Sequence, residues 1–63
     1  MNQYREKYEE IMKYCAQNLQ GFYGRFFYDR YMPADEETKD NICEKFADAG
    51  IENVMDFIMY IEG

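Results

Sequence analysis

The sequence predicts an all-α fold, a small bundle of three to four short helices. Three observations carry that prediction. Apolar residues near the N-terminus recur every three or four positions, the later half holds two clear sets of helix start and stop residues, and the aromatic segment between them sorts better onto a helix than onto a strand.

The first element spans Gln3 to Leu19. Tyr4, Tyr8, Ile11, Met12, Cys15 and Leu19 fall on one helical face, while Arg5, Glu6, Glu9, Glu10, Lys13 and Gln17 fill the other. Glu9 and Lys13 have the spacing of a favourable ion pair. Tyr14 lies outside the apolar stripe and reads as a surface ring. The run Asn18-Leu19-Gln20-Gly21 ends this helix, with Gly21 in the left-handed conformation. The alternative is one long kinked helix, because Cys15, Leu19, Phe22, Phe26 and Arg30 keep a common phase.

The second element is the stretch from Gly21 to Met32, which holds six of the twelve aromatic residues. On a strand both faces would carry rings, which suits a half-buried strand poorly and leaves a short hairpin as the weaker alternative. On a helix Phe22, Tyr23, Phe26, Phe27 and Tyr31 share one side, opposite Arg25, Tyr28 and Asp29. This stretch therefore reads as the hydrophobic hub, with Phe22, Phe26 and Phe27 as core. Tyr28 and Tyr31, beside Arg25 and Arg30, are the candidates for outside contact, since Tyr and Arg are typical of interface hot spots.

Pro33 stops that segment and biases Met32 away from the helical region. Asp35 then reads as the N-cap of a third helix, with Glu36 and Glu37 at the positive end of its dipole. This helix runs to about Ala49, buries Ile42, Phe46 and Ala49, and has Cys43 at its edge. Gly50 supplies the stop and lets Ile51 fold back onto the last turn. Asn53, with Asp56 three residues on, opens a fourth helix over Val54 to Glu62. Val54, Phe57, Ile58 and Ile61 form its apolar face, and Met55, Met59 and Tyr60 carry apolar character most of the way round.

Size and composition bound the rest. A chain of 63 residues makes one domain, 1–63, and at this length only about 60% of the unfolded surface is buried. With five Ile, one Leu and one Val against twelve aromatics and five Met, the core is built from rings and thioethers. The absence of His and of any paired Cys ligands leaves no zinc site and no Cys/His nucleophile. Cys15 and Cys43 read as small buried apolar residues in their reduced form, with a disulfide between them as the alternative, and the lack of an apolar leader or membrane-length run points with the reduced thiols to the cytoplasm. No catalytic residue, metal ligand or cofactor is expected.

The net charge of −6 excludes general affinity for nucleic acid or anionic membrane. The charge is also uneven. Residues 1–34 carry five basic and four acidic groups, whereas residues 35–63 carry two basic and nine acidic. Glu36, Asp40, Glu44 and Asp48 stand at successive four-residue steps on the third helix, spanning about 120° of its circumference. Glu37, Glu52 and Asp56 extend the acid field. An EF-hand loop pattern is absent, which argues against calcium. A would-be recognition helix bearing Asp56 and Glu62 with no Lys or Arg argues against DNA.

The expected function is a non-enzymatic protein-binding module or inhibitor. The ladder and nearby Tyr residues would dock on a basic, nucleic-acid-binding surface of another protein. In its specific form the ladder stands in for nucleic-acid phosphates, as in small acidic inhibitors of phage type. The second expectation is a structural module that self-associates through its aromatic and Met-rich faces, the acid serving solubility.

Overall fold

A computed structural model describes residues 3–19 and 21–63 and has four helices and no strand among them. Helix α1 spans Gln3–Asn18. Helix α2 (Phe22–Arg25) passes directly into a π-helical segment (Phe26–Tyr31). Helix α3 covers Glu36–Asp48 and α4 covers Val54–Glu62.

The hub is α1 and not the aromatic stretch. It packs against α2, the π segment, α3 and α4, and it supplies Tyr8, Ile11, Met12 and Cys15 to the buried cluster. The physical reason is length. Sixteen residues at about 1.5 Å each give one element long enough to meet all the others.

The chain breaks after α1, so the long kinked helix does not form. Gly21 has φ 82° as expected but ψ −125°, which is outside the left-handed helical region and in territory that only glycine enters freely. Gln20, included in the expected stop, lies outside the described residues.

In the aromatic stretch the buried rings are Tyr23, Phe27 and Tyr31, four residues apart. Phe22, expected in the core, is 53% exposed, and Phe26 is half-buried. Tyrosines go inside because each finds an acceptor. Tyr23 donates to Glu62 at 2.8 Å and Tyr31 to Glu9 at 2.6 Å. The wider turn of the π segment, closed by the Met32 amide on the Phe27 carbonyl at 2.9 Å, holds Phe27 and Tyr31 in a stacked pair facing inward. That same bond keeps Met32 helical (φ −58°, ψ −41°), so the bias imposed by Pro33 on its predecessor is overridden.

The two later helices start and stop where expected. Asp35 accepts from the Thr38 amide at 2.8 Å and caps α3. At its end the Gly50 amide bonds the Ala47 carbonyl and the Ile51 amide bonds the Phe46 carbonyl, a Schellman motif with Gly50 at φ 80°. Ile51 is buried, and its carbonyl accepts the Tyr8 hydroxyl at 2.6 Å, tying this turn to α1. Asn53 accepts from the Asp56 amide, while the Asp56 carboxylate reaches back to the Glu52 amide.

The buried face of α3 is centred on Cys43 and Phe46, and Ala49 is exposed. Relative to the expected face it is rotated by about 60° towards the acid ladder. On α4, Phe57 is buried with Val54, Ile58 and Ile61 packed around it. The rings of Phe46, Phe57 and Tyr23 meet edge-on or tilted at 5.3 and 6.1 Å, so this end of the core is aromatic. Both cysteines are buried and unpaired.

Candidate functional site

The rotation of α3 divides the four-carboxylate ladder. Its first two members border the interface with α1, where Arg5 meets them. Arg5 was placed on the polar side of α1, yet its side chain is only 15% exposed and reaches across to α3. It bonds Glu9 at 2.8 Å, Glu36 at 3.1 Å and Asp40 at 3.1 Å. One guanidinium with five donors in a fixed fork can serve three acceptors at once. Glu9 is thereby taken from the expected pairing with Lys13.

Glu9 also receives the Tyr31 hydroxyl, which lies 3.7 Å from the Cys43 sulfur. Partial burial pushes the Glu9 carboxyl up, but the Tyr31 hydroxyl and Arg5 outweigh it and hold Glu9 below its ordinary value. Burial and the Glu9 bond together push the Tyr31 phenol far up. Burial likewise raises both thiols, so neither Cys15 nor Cys43 is set up as a thiolate nucleophile.

Tyr31, a candidate contact residue from its sequence, is 0% exposed and is withdrawn from that role. Its ring stacks on Phe27 and its hydroxyl is committed to Glu9, so it is a core residue with a satisfied polar tip. Tyr28 is half-exposed and edge-on to Phe27. Glu52 pairs with Lys7 at 3.0 Å, and Asp56 is engaged with backbone. Glu36 is shared with Lys39 at 3.7 Å, and the Lys39 ammonium sits over the Tyr31 ring.

What remains outward is a different set. Glu37, Asn41, Glu44 and Asp48 are exposed, and by helical spacing they lie within a stripe about 60° wide. Among the described residues none of its three carboxylates has a salt bridge. Sequence reasoning also passed over Glu6 and Glu10, one turn apart and exposed on α1. With Glu9, Lys13, Phe27 and Met32 they line a groove. The signal for Arg5 was its position, one residue after Tyr4 at the margin of the apolar stripe, where a long side chain can turn inward.

Among the described residues no group of three or more Cys, Asp or Glu side chains is placed to hold a metal ion, and no helix is long and apolar enough to cross a membrane. Comparison with protein-family models, with curated proteins and with solved structures found no match.

Proposed function

We propose that the chain is a non-enzymatic protein-binding module whose outward α3 face, Glu37, Glu44 and Asp48, docks on a basic surface of a partner protein. One observation carries the reading. Glu9, Glu36, Asp40, Glu52, Asp56 and Glu62 each have a cation, hydroxyl or amide partner, whereas Glu37, Glu44 and Asp48, like Glu6, Glu10 and Asp29 elsewhere, have no salt bridge among the described residues, and the first three share one stripe of α3. Glu44 and Asp48, one turn apart, repel by about 0.2–0.5 kcal/mol. No salt bridge reaches that pair among the described residues, and a cationic partner would relieve the repulsion. A surface whose nucleic-acid site is basic fits this charge, and the field would speed encounter. With Glu36 and Asp40 held by Arg5, a regular four-step imitation of phosphates is not what the partner would meet; it would meet the compact three-carboxylate stripe.

The test is capture from a nuclease-treated lysate on the immobilised chain, eluted with a salt gradient. Glu37→Lys, Glu44→Lys and Asp48→Lys together should abolish capture while leaving the circular dichroism spectrum unchanged. Identical capture at identical salt by wild type and variant would remove the α3 face from the proposal.

A further inference from the structure

Helix α4 presents a second surface of different chemistry. Met55, Met59 and Glu62 recur at four- and three-residue spacing, which places them along one side of α4, and Glu52 precedes its N-cap. Met55 and Met59 are 64% and 65% exposed, while Phe57 on the other side is buried in the aromatic core. A helix with apolar residues all round is ordinarily covered on both sides, and here only the inner side is covered. Two unbranched thioethers side by side make an adaptable apolar surface, able to receive aliphatic or aromatic side chains of varied shape.

We propose that this stripe docks an amphipathic helix of a partner protein, apolar along one face and lined with Lys or Arg along its flanks. Charge selects that occupant. Residues 51–63 contain Glu52, Asp56 and Glu62 with no Lys or Arg, and the chain as a whole is at −6. A second copy packing α4 on α4 would bring these carboxylates against their own equivalents, with Lys7 beside Glu52 as the one cation bonded to the stripe among the described residues. A partner helix with basic flanks instead sets cations beside Glu52 and Glu62. Anchoring by apolar side chains at helical spacing in such a surface is an established mode of helix recognition. The inference rests on the reading of the chain as a binding module, but it uses a face and a partner element separate from the α3 carboxylates.

The experiment is calorimetric titration of the full chain with two synthetic amphipathic peptides, each about five turns long with leucines on one face. One has lysines along its flanks and the other glutamates. The lysine peptide should bind at least about tenfold more tightly than the glutamate peptide, and Met55→Gln with Met59→Gln should weaken it by about tenfold or more. Both residues are surface-exposed, so the variant should fold, and an unchanged melting curve verifies that. The chain alone should sediment as a monomer. The proposal is overturned by unchanged binding in the Met variant, by equal binding of the two peptides, or by a dimer that the Met variant dissociates. An equal loss in Glu44→Gln with Asp48→Gln would place the peptide on α3 and overturn it as well. Failure here leaves the lysate capture by α3 intact, and failure of that capture leaves the peptide result intact, so the two readings are separable.

Discussion

Replacing Tyr31 with Phe removes one oxygen atom from the centre of the fold. The ring remains, stacked on Phe27 at 5.8 Å and under the Lys39 ammonium, so packing is conserved. What is lost is the 2.6 Å bond to Glu9, whose same oxygen also accepts from Arg5 at 2.8 Å. A hydrogen bond to a charged acceptor contributes about 1.5–3 kcal/mol. Because Glu9 is partly exposed, water can replace the hydroxyl in part, and the expected loss is the lower portion, about 1–2 kcal/mol. In a domain of this size each kcal/mol lowers the melting temperature by about 4–8 °C, so Tyr31→Phe should melt about 5–15 °C lower. Thermal and urea denaturation followed by circular dichroism measure this directly. Tyr31→Phe combined with Glu9→Gln should be less destabilising than the sum of the single changes by about 1 kcal/mol, the coupling of two groups in contact. A Tyr31→Phe melting temperature within about 2 °C of wild type, or additivity within about 0.3 kcal/mol, would refute the stabilising bond between Tyr31 and Glu9.

The remaining predictions concern the same framework. Asp40→Lys sets a second cation against Arg5 and should cost at least about 1 kcal/mol in urea unfolding, whereas Glu44→Lys, on the outward stripe, should stay within about 0.5 kcal/mol of wild type. Asp35→Ala removes the acceptor for the Thr38 amide and should cost about 1 kcal/mol, read as a lower urea midpoint. Gly50→Ala meets open space but must hold φ near 80°, so strain alone should cost about 1–2 kcal/mol in the same assay. On acidification, Glu9 matters because its native value lies below its ordinary 4.5. Its stabilisation should be complete above about pH 4.5 and fade as pH falls through the lower native value, and Glu9→Gln should flatten the stability–pH curve in that window.

Most of the local architecture was legible in the sequence. Asp35, Gly50 and Asn53 act through their own backbone neighbours, so the signals that predict their roles are complete within a few residues. The α1 stripe was legible for the same reason, since Tyr8, Ile11, Met12 and Cys15 differ sharply from the polar residues between them. The π-helical segment was not. A wider turn forms because it brings Phe27 and Tyr31 to bear on α1, and nothing in FFYDRY by itself favours it over an ordinary helical turn.

The candidate site divides along the same line. The sequence alone determined that this is an acidic protein with its excess negative charge in residues 35–63, because charge is a sum that folding does not alter. Which carboxylates remain outward was decided only by tertiary structure. Arg5 is 31 and 35 residues from Glu36 and Asp40, and no local pattern reveals a partner at that separation. Once α3 turned Cys43 and Phe46 into the core, two members of the ladder came within reach of one guanidinium, and Glu37, Glu44 and Asp48 were left facing outward. The buried tyrosines follow the same logic. A phenol enters the core only where a distant chain segment brings an acceptor, and Glu9, Glu62 and the Ile51 carbonyl supply them to Tyr31, Tyr23 and Tyr8.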